Sequence, residues 1–145
     1  DLISYIYKKY IPSQILDFAT LTGAILVSLG THRAGIFSNN DSLAKKIELA
    51  GEISGERVWR LPLGKEYDNE IDSNRADMKN IGSTRYGGSI QAAQFLKRFI
   101  NNNTPWAHFD IAGVTWSNNA DKNNVNNKGA TAFGVRLMDQ FLKRK

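Results

Sequence analysis

Residues 14–30, QILDFATLTGAILVSLG, leave the chain few ways to fold. Ile15, Leu16 and Phe18 make a short apolar run interrupted by one carboxylate, Asp17. A run of this length suits a strand buried on both faces, which has no solvent side to mark with alternating polar residues. Periodicity alone leaves a helix open. The pattern then breaks: Ala19-Thr20-Leu21-Thr22-Gly23 puts small and hydroxyl residues where the apolar run should continue. A second apolar run, Ala24–Leu29, closes on Gly30, which reads as a helix C-cap. Strand, tight loop and short helix is the natural reading, with the loop at the strand's carboxyl end. In open α/β sheets ligands collect outside those ends.

The flanking sequence alternates in the same way. Residues 2–10 read as the end of a helix whose last turn carries Lys8 and Lys9 and which stops before Pro12. Residues 34–37 form a second short strand, and Asn39, Asn40, Asp41 and Ser42 offer N-caps for a helix on Leu43, Ile47, Ala50 and Ile53 that Gly55 ends. An extended segment at 58–63 is stopped by Pro62 and Gly64, and a short helix is expected at 65–71. Residues 73–89 carry three glycines and no clean period, and a segment of that kind inside a compact domain is often functional. A helix on Ile90, Ala93, Leu96 and Ile100 follows, then a strand at 106–111 ended by Ala112-Gly113. Residues 118–128, rich in Asn, read as a mobile surface loop, and Phe133, Leu137, Met138 and Phe141 form the inner face of a last helix. Strands alternating with helices predict an α/β fold: a mostly parallel or mixed sheet flanked by helices as an α/β/α sandwich.

A chain of 145 residues is the size of one domain, and its 41% hydrophobic and 23% charged residues fit a soluble globular protein. No run of about 18 apolar residues occurs, so no membrane partner is expected. With no cysteine there is no disulfide framework, thiolate metal site or cysteine nucleophile, which is compatible with the cytoplasm. The net charge of +5 is scattered, with its densest cluster at Lys143-Arg144-Lys145, and reads as a solvated surface that also complements a helix C-terminus. No nucleic-acid partner is expected: Trp59, Trp106 and Trp116 are not interleaved with a basic run, and packing is the better reading of all three. The chain opens on Asp1 with no signal-peptide pattern, and Leu2, Ile3, Tyr5 and Ile6 already look helical, so the expected start lies inside a larger domain.

Two carboxylates stand out, Asp17 and Asp110, each near the end of an apolar strand and each followed by small residues. Brought together they could bind a divalent metal or do acid/base work; alternatively each accepts backbone N–H bonds in its own turn. His32 and His108 are isolated, without the paired histidines of a single-zinc peptidase helix, and His108 inside a strand reads as structural. No nucleophile elbow and no phosphate-binding loop appears. The loop at 20–23 is different. A helix start at a strand's carboxyl end exposes N–H groups able to hold a carbonyl or carboxylate, and Gly23 lets a ligand come close; an ordinary β-to-α turn is the alternative.

The string Asp17-Phe18-Ala19-Thr20-Leu21-Thr22-Gly23-Ala24 closely resembles the substrate-groove signature of the leucyl (cytosol) aminopeptidases, which are dimetal exopeptidases. The likeness continues through Val58-Trp59-Arg60-Leu61-Pro62-Leu63 and Ser73-Asn74-Arg75-Ala76-Asp77-Met78-Lys79-Asn80-Ile81-Gly82. It then runs through Trp106-Ala107-His108-Phe109-Asp110-Ile111-Ala112-Gly113 and Lys128-Gly129-Ala130-Thr131-Ala132-Phe133-Gly134-Val135-Arg136. The resemblance implies that Leu21 and Gly23 give backbone hydrogen bonds to a bound peptide. It implies that Thr20, Gly23 and Ala112 line the pocket for the N-terminal side chain, and that Ile81 lies on the leaving-residue side. Thr115 departs from the Met that some members carry at the pocket floor. Asp17 and Asp110 do not match the family's metal ligands.

By the same resemblance the reaction needs two divalent ions, Mn or Zn, bridged by a water. Their ligands come from a Lys and Asp motif and an Asn-Thr-Asp-Ala-Glu-Gly-Arg motif, and neither motif occurs in these 145 residues. The second would fall just upstream of Asp1. The expectation is therefore that residues 1–145 are the C-terminal portion of the catalytic domain of a cytoplasmic aminopeptidase that prefers leucine. They would supply the groove wall without catalytic residues or metal ligands, in a parent that works as a homohexamer. The rival readings are a binding or assembly module related to the enzymes, and a basic nucleic-acid-binding domain, for which no motif is present.

Overall fold

The computed structural model describes residues 2–101, 103–118 and 128–143. Helix α1 (Leu2–Lys9) leads to strand β1 (Ile15–Ala19), helix α2 (Ala24–Leu29), strand β2 (Ala34–Ser38) and helix α3 (Asp41–Ser54). Strand β3 (Val58–Arg60), helix α4 (Lys65–Asn69), helix α5 (Gly88–Lys97) and strand β4 (Trp106–Asp110) follow, and the described chain ends with β5 (Trp116–Ser117), β6 (Gly129–Ala130) and α6 (Val135–Lys143).

The main sheet has the order β1-β4-β2-β3. β1 is parallel to β4 and β2 parallel to β3, whereas β2 and β4 run antiparallel, so the sheet is mixed. Side chains alternate between its faces, and each face has its own core. On one, Ile15, Phe37 and Trp106 pack with Ala93 and Ile100, and Ile3 and Tyr7 of α1 lie against them. On the other, Ala34, Ile36, Val58, Ala107 and Phe109 meet Leu43 and Ile47 of α3 and Leu137 of α6. Helices therefore cover both faces, as the alternation of strand and helix patterns predicts. β2 and β4 are buried along their whole length, which is why AGIFS and WAHFD carry so little charge.

Local signals account for several boundaries. Asn40 Oδ1 accepts the Leu43 N–H at 2.8 Å and starts α3, and Gly55 ends it with φ 76°, a left-handed conformation that costs glycine little. Of the extended segment expected at 58–63 only Val58–Arg60 is a strand, because pairing with β2 stops at Arg60. The helices expected at 65–71 and from Ile90 to Ile100 run instead over α4 and α5. The β5–β6 pair is unanticipated, since two residues per strand carry no periodicity. The mobile loop expected at 118–128 falls, at 119–127, outside the described residues, as do Arg144 and Lys145.

Helix α6 is fastened through Glu56, which is 3% exposed. Its Oε2 accepts the N–H groups of Gly134 at 3.0 Å and Leu137 at 2.8 Å, and its Oε1 lies 3.3 Å from Arg136 Nη2. A carboxylate at a helix start satisfies donors that have no partner inside the helix and meets the positive end of its dipole, and Arg136 offsets the buried charge.

Candidate functional site

β1 and β4 are parallel neighbours, with Ala19 opposite Asp110, so their carboxyl ends open on the same edge of the sheet. The Asp110 side chain is 1% exposed and turns back onto the loop that follows β1. Its Oδ1 accepts the Leu21 N–H at 3.1 Å and the Ala112 N–H at 3.3 Å, and its Oδ2 accepts the Thr22 hydroxyl at 2.6 Å. With its proton committed to Asp110, Thr22 Oγ1 accepts from Ser89 Oγ at 3.1 Å and from the Ile25 N–H at 3.2 Å. The last of these satisfies an N–H in the first turn of α2, whose N-cap Gly23 has no side chain to do so. One buried carboxylate thus ties together the loop, the start of α2 and, through Ser89, the start of α5.

These bonds bring Thr20, Leu21, Gly23 and Ala112 to one place. Thr20, Leu21 and Gly23 are exposed and Ala112 is half-buried. Among the described residues no hydrogen bond occupies the Leu21 carbonyl or the Gly23 N–H. Gly23 has φ −70° and ψ −22°, and a Cβ built on it meets no atom within 4 Å. The loop therefore presents a free acceptor, a free donor and open space. Such an edge can hold an extended main chain by alternating hydrogen bonds. Ile81 stands apart, 80% exposed, on the segment between α4 and α5.

Asp17 does not join Asp110. It lies mid-strand opposite His108, and its Oδ2 accepts Trp106 Nε1 at 2.6 Å while its Oδ1 meets His108 Nδ1 at 2.5 Å. The expectation that each acid serves its own turn holds for Asp110, through Ala112, and fails for Asp17, which serves side chains of the adjacent strand. His108 is fully buried, the structural histidine expected of it. Only part of the expectation for the tryptophans is met: Trp106 is buried, but Trp59 and Trp116 are 57% and 60% exposed. The Arg33 guanidinium lies 5.7 Å from the Trp59 ring centre, a cation–π contact.

The segment after β3 is clamped to α5. Arg98 Nε and Nη2 each lie 3.0 Å from an Asp68 carboxylate oxygen, and Nη2 is 2.6 Å from Asp72 Oδ1. The hydrogen bonds from Arg98 hold the Asp68 carboxyl below its ordinary range, and Asp68 and Asp72 raise the Arg98 guanidinium in turn.

The residues described do not fit a metal centre. No group of three His, Asp or Glu side chains among them could hold an ion, and the Asp17 and Asp110 oxygens already have donors. Ser89 and Glu56 are structural participants that sequence reasoning did not single out. Each meets its partners across a long stretch of chain, and no local pattern marks them.

Comparison with known proteins matches residues 1–138 to the model of the cytosol aminopeptidase family, catalytic domain. The chain is 56% identical over 142 residues to a "Probable cytosol aminopeptidase" of Rhodopseudomonas palustris (strain BisB5), and 54% identical over the same length to proteins of that name from Bradyrhizobium sp. (strain BTAi1 / ATCC BAA-1182) and Nitrobacter winogradskyi. Each alignment covers 98% of this chain and 28% of the relative, so the chain spans little more than a quarter of the curated relatives it matches. Among the described residues no helix is long and apolar enough to cross a membrane. With residues 1–138 matched by the model of its catalytic domain, the chain belongs to the cytosol aminopeptidase family.

Proposed function

We propose that residues 1–145 are the C-terminal portion of the catalytic domain of a metal-dependent leucyl-type aminopeptidase, which releases N-terminal residues, leucine preferred, from peptides. The observation that carries this reading is the β1–α2 loop, locked by Asp110 and left, among the described residues, with an unbonded Leu21 carbonyl and Gly23 N–H. Those two groups take the peptide main chain. Thr20, Gly23 and Ala112 border the N-terminal side chain, and Ile81 flanks the leaving residue. The reaction centre and its two divalent ions, Mn or Zn, belong to parts of the parent that this chain does not supply, in keeping with the absence of a metal-holding cluster among the described residues. The parent works in the cytoplasm as a homohexamer. The word "cytosol" in the relatives' names supports the first of these statements.

The test compares hydrolysis of leucine 4-nitroanilide by the full-length parent and by the 145-residue chain, each with added manganese or zinc. Turnover by the parent alone is expected. An inactive parent under every metal condition would favour the rival, a binding or assembly module descended from the enzymes. Turnover by the 145-residue chain would show that the reaction centre has been misplaced.

A further inference from the structure

Residues 70–87, between α4 and α5, contain no helix or strand, and beyond a few backbone hydrogen bonds such as Lys79 N–H to the Ile71 carbonyl at 2.7 Å, side chains help give the segment its shape. One side chain meets it at three points. Gln91, on α5 and 3% exposed, donates from Nε2 to Glu70 Oε2 near the beginning of the segment and to the Tyr86 carbonyl, at 3.0 Å, near its end. Between them the backbone at Gly82 passes so close that a Cβ there would run into the Gln91 amide. Any larger residue at Gly82 would have to push that amide aside, at the expense of its bonds to Glu70 and Tyr86. Ile81, the apolar residue assigned above to the leaving-residue side, directly precedes this contact.

The helix that carries Gln91 also carries Ser89, whose hydroxyl reaches Thr22 in the β1–α2 loop. α5 therefore braces both walls of the proposed groove by separate contacts, Ser89 for the N-terminal side and Gln91 for the other. We propose that Gln91 is a positioning residue: by seating the main chain at Gly82 it fixes where Ile81 stands, and so sets the preference for the residue that follows the cleaved bond. The inference rests on the reading of Ile81 as part of the groove.

A buried amide that loses its partners no longer specifies one backbone path, whereas a methionine of similar length fills the space without the bonds. In the full-length enzyme, two ratios of kcat/KM separate the walls: Leu-Leu over Leu-Gly reads the leaving side, and Leu-Gly over Ala-Gly reads the N-terminal side. For Gln91→Met the first ratio should fall by about tenfold, the low end of what one apolar contact contributes to discrimination. The fall should lie mainly in KM, with the second ratio unchanged. Ile81→Ala should reproduce it. Gly82→Ala disturbs the same contact from the other side and should do likewise. The double variant Gly82→Ala/Gln91→Met should be no worse than the worse single one, because both remove one interaction.

If Ile81→Ala lowers the first ratio while folded Gln91→Met and Gly82→Ala leave it alone, the positioning role is wrong and the groove reading stands. If Ile81→Ala leaves the ratio unchanged, both fall together. Equal losses in the two ratios would mark Gln91 as general support for α5 and overturn its specific role.

Discussion

Gly23 sits in a right-handed conformation that any L-residue adopts, with open space where a side chain would go. Nothing in the fold requires glycine there, so any requirement comes from what binds. Gly23→Val in the full-length enzyme is therefore expected to change stability by no more than about 1 kcal/mol, the scale of a helix-start substitution. A branched side chain on the ligand side should nevertheless cost on the order of a hundredfold in kcat/KM, since displacing a substrate by about an ångström is enough. Melting temperature and turnover measured on one preparation separate the two effects; early melting with normal turnover would contradict the assignment. At this scale the loop was legible, because small, hydroxyl and glycine residues between two apolar runs are a local signal. The role of Asp110 was only half legible. Its bond to Ala112 spans two residues, but its bonds to Leu21 and Thr22 span 89 and 88. No sequence period predicts them, because strand register decides them. The role of Asp17 was not legible for the same reason: its partners, Trp106 and His108, lie on the neighbouring strand.

Among the elements, those with caps and a full period were readable before the fold was known. α3 begins on Asn40 and ends on Gly55 as its sequence indicates, and the inner face of α6 is the one its apolar spacing marks. β5 and β6 were invisible, and β3 ends early because its pairing with β2 stops at Arg60 opposite Ile36, although β2 itself runs on to Ser38. The segment 73–87 showed only as a lack of pattern; its own hydrogen bonds, such as Lys79 N–H to the Ile71 carbonyl, and side-chain contacts from α5 order it. The Arg98–Asp68 clamp has a definite pH signature. Because folding lowers the Asp68 pKa from its ordinary 3.8, the unfolded chain takes up that proton first on acidification. The clamp's contribution is present above that value and lost as pH falls through the lower, folded one. Arg98→Met should therefore melt below the parent by a constant margin at neutral pH, and the gap should narrow below about pH 4. Since the Asp68 side chain is 35% exposed, the margin will be modest. A gap that widened on acidification, followed by circular dichroism, would contradict this account.

For the whole molecule, Ile11 and Val27 are 98% and 90% exposed, and among the described residues β1 has a strand on one side only. Such apolar positions and a bare edge suit surfaces that further protein covers. The resemblance to the leucyl aminopeptidases, rather than these surfaces, predicts that the proposed parent scatters light as a homohexamer, a dimer of trimers; a stable monomer at micromolar concentration would count against it. The order β1-β4-β2-β3 has another consequence, in time. β4 lies between two strands that precede it by many residues, with Trp106 opposite Ile15 and Ala107 opposite Ser38. A ribosome adding about 5–20 residues per second needs roughly 3–14 seconds to travel from Ser38 to Trp106. Throughout that interval β1 and β2 are already made while the strand that joins them is not. Translation speed over residues 39–105 therefore sets how long two apolar strands wait for the one that will lie between them, and how long a chaperone or a neighbouring nascent chain has to reach them first.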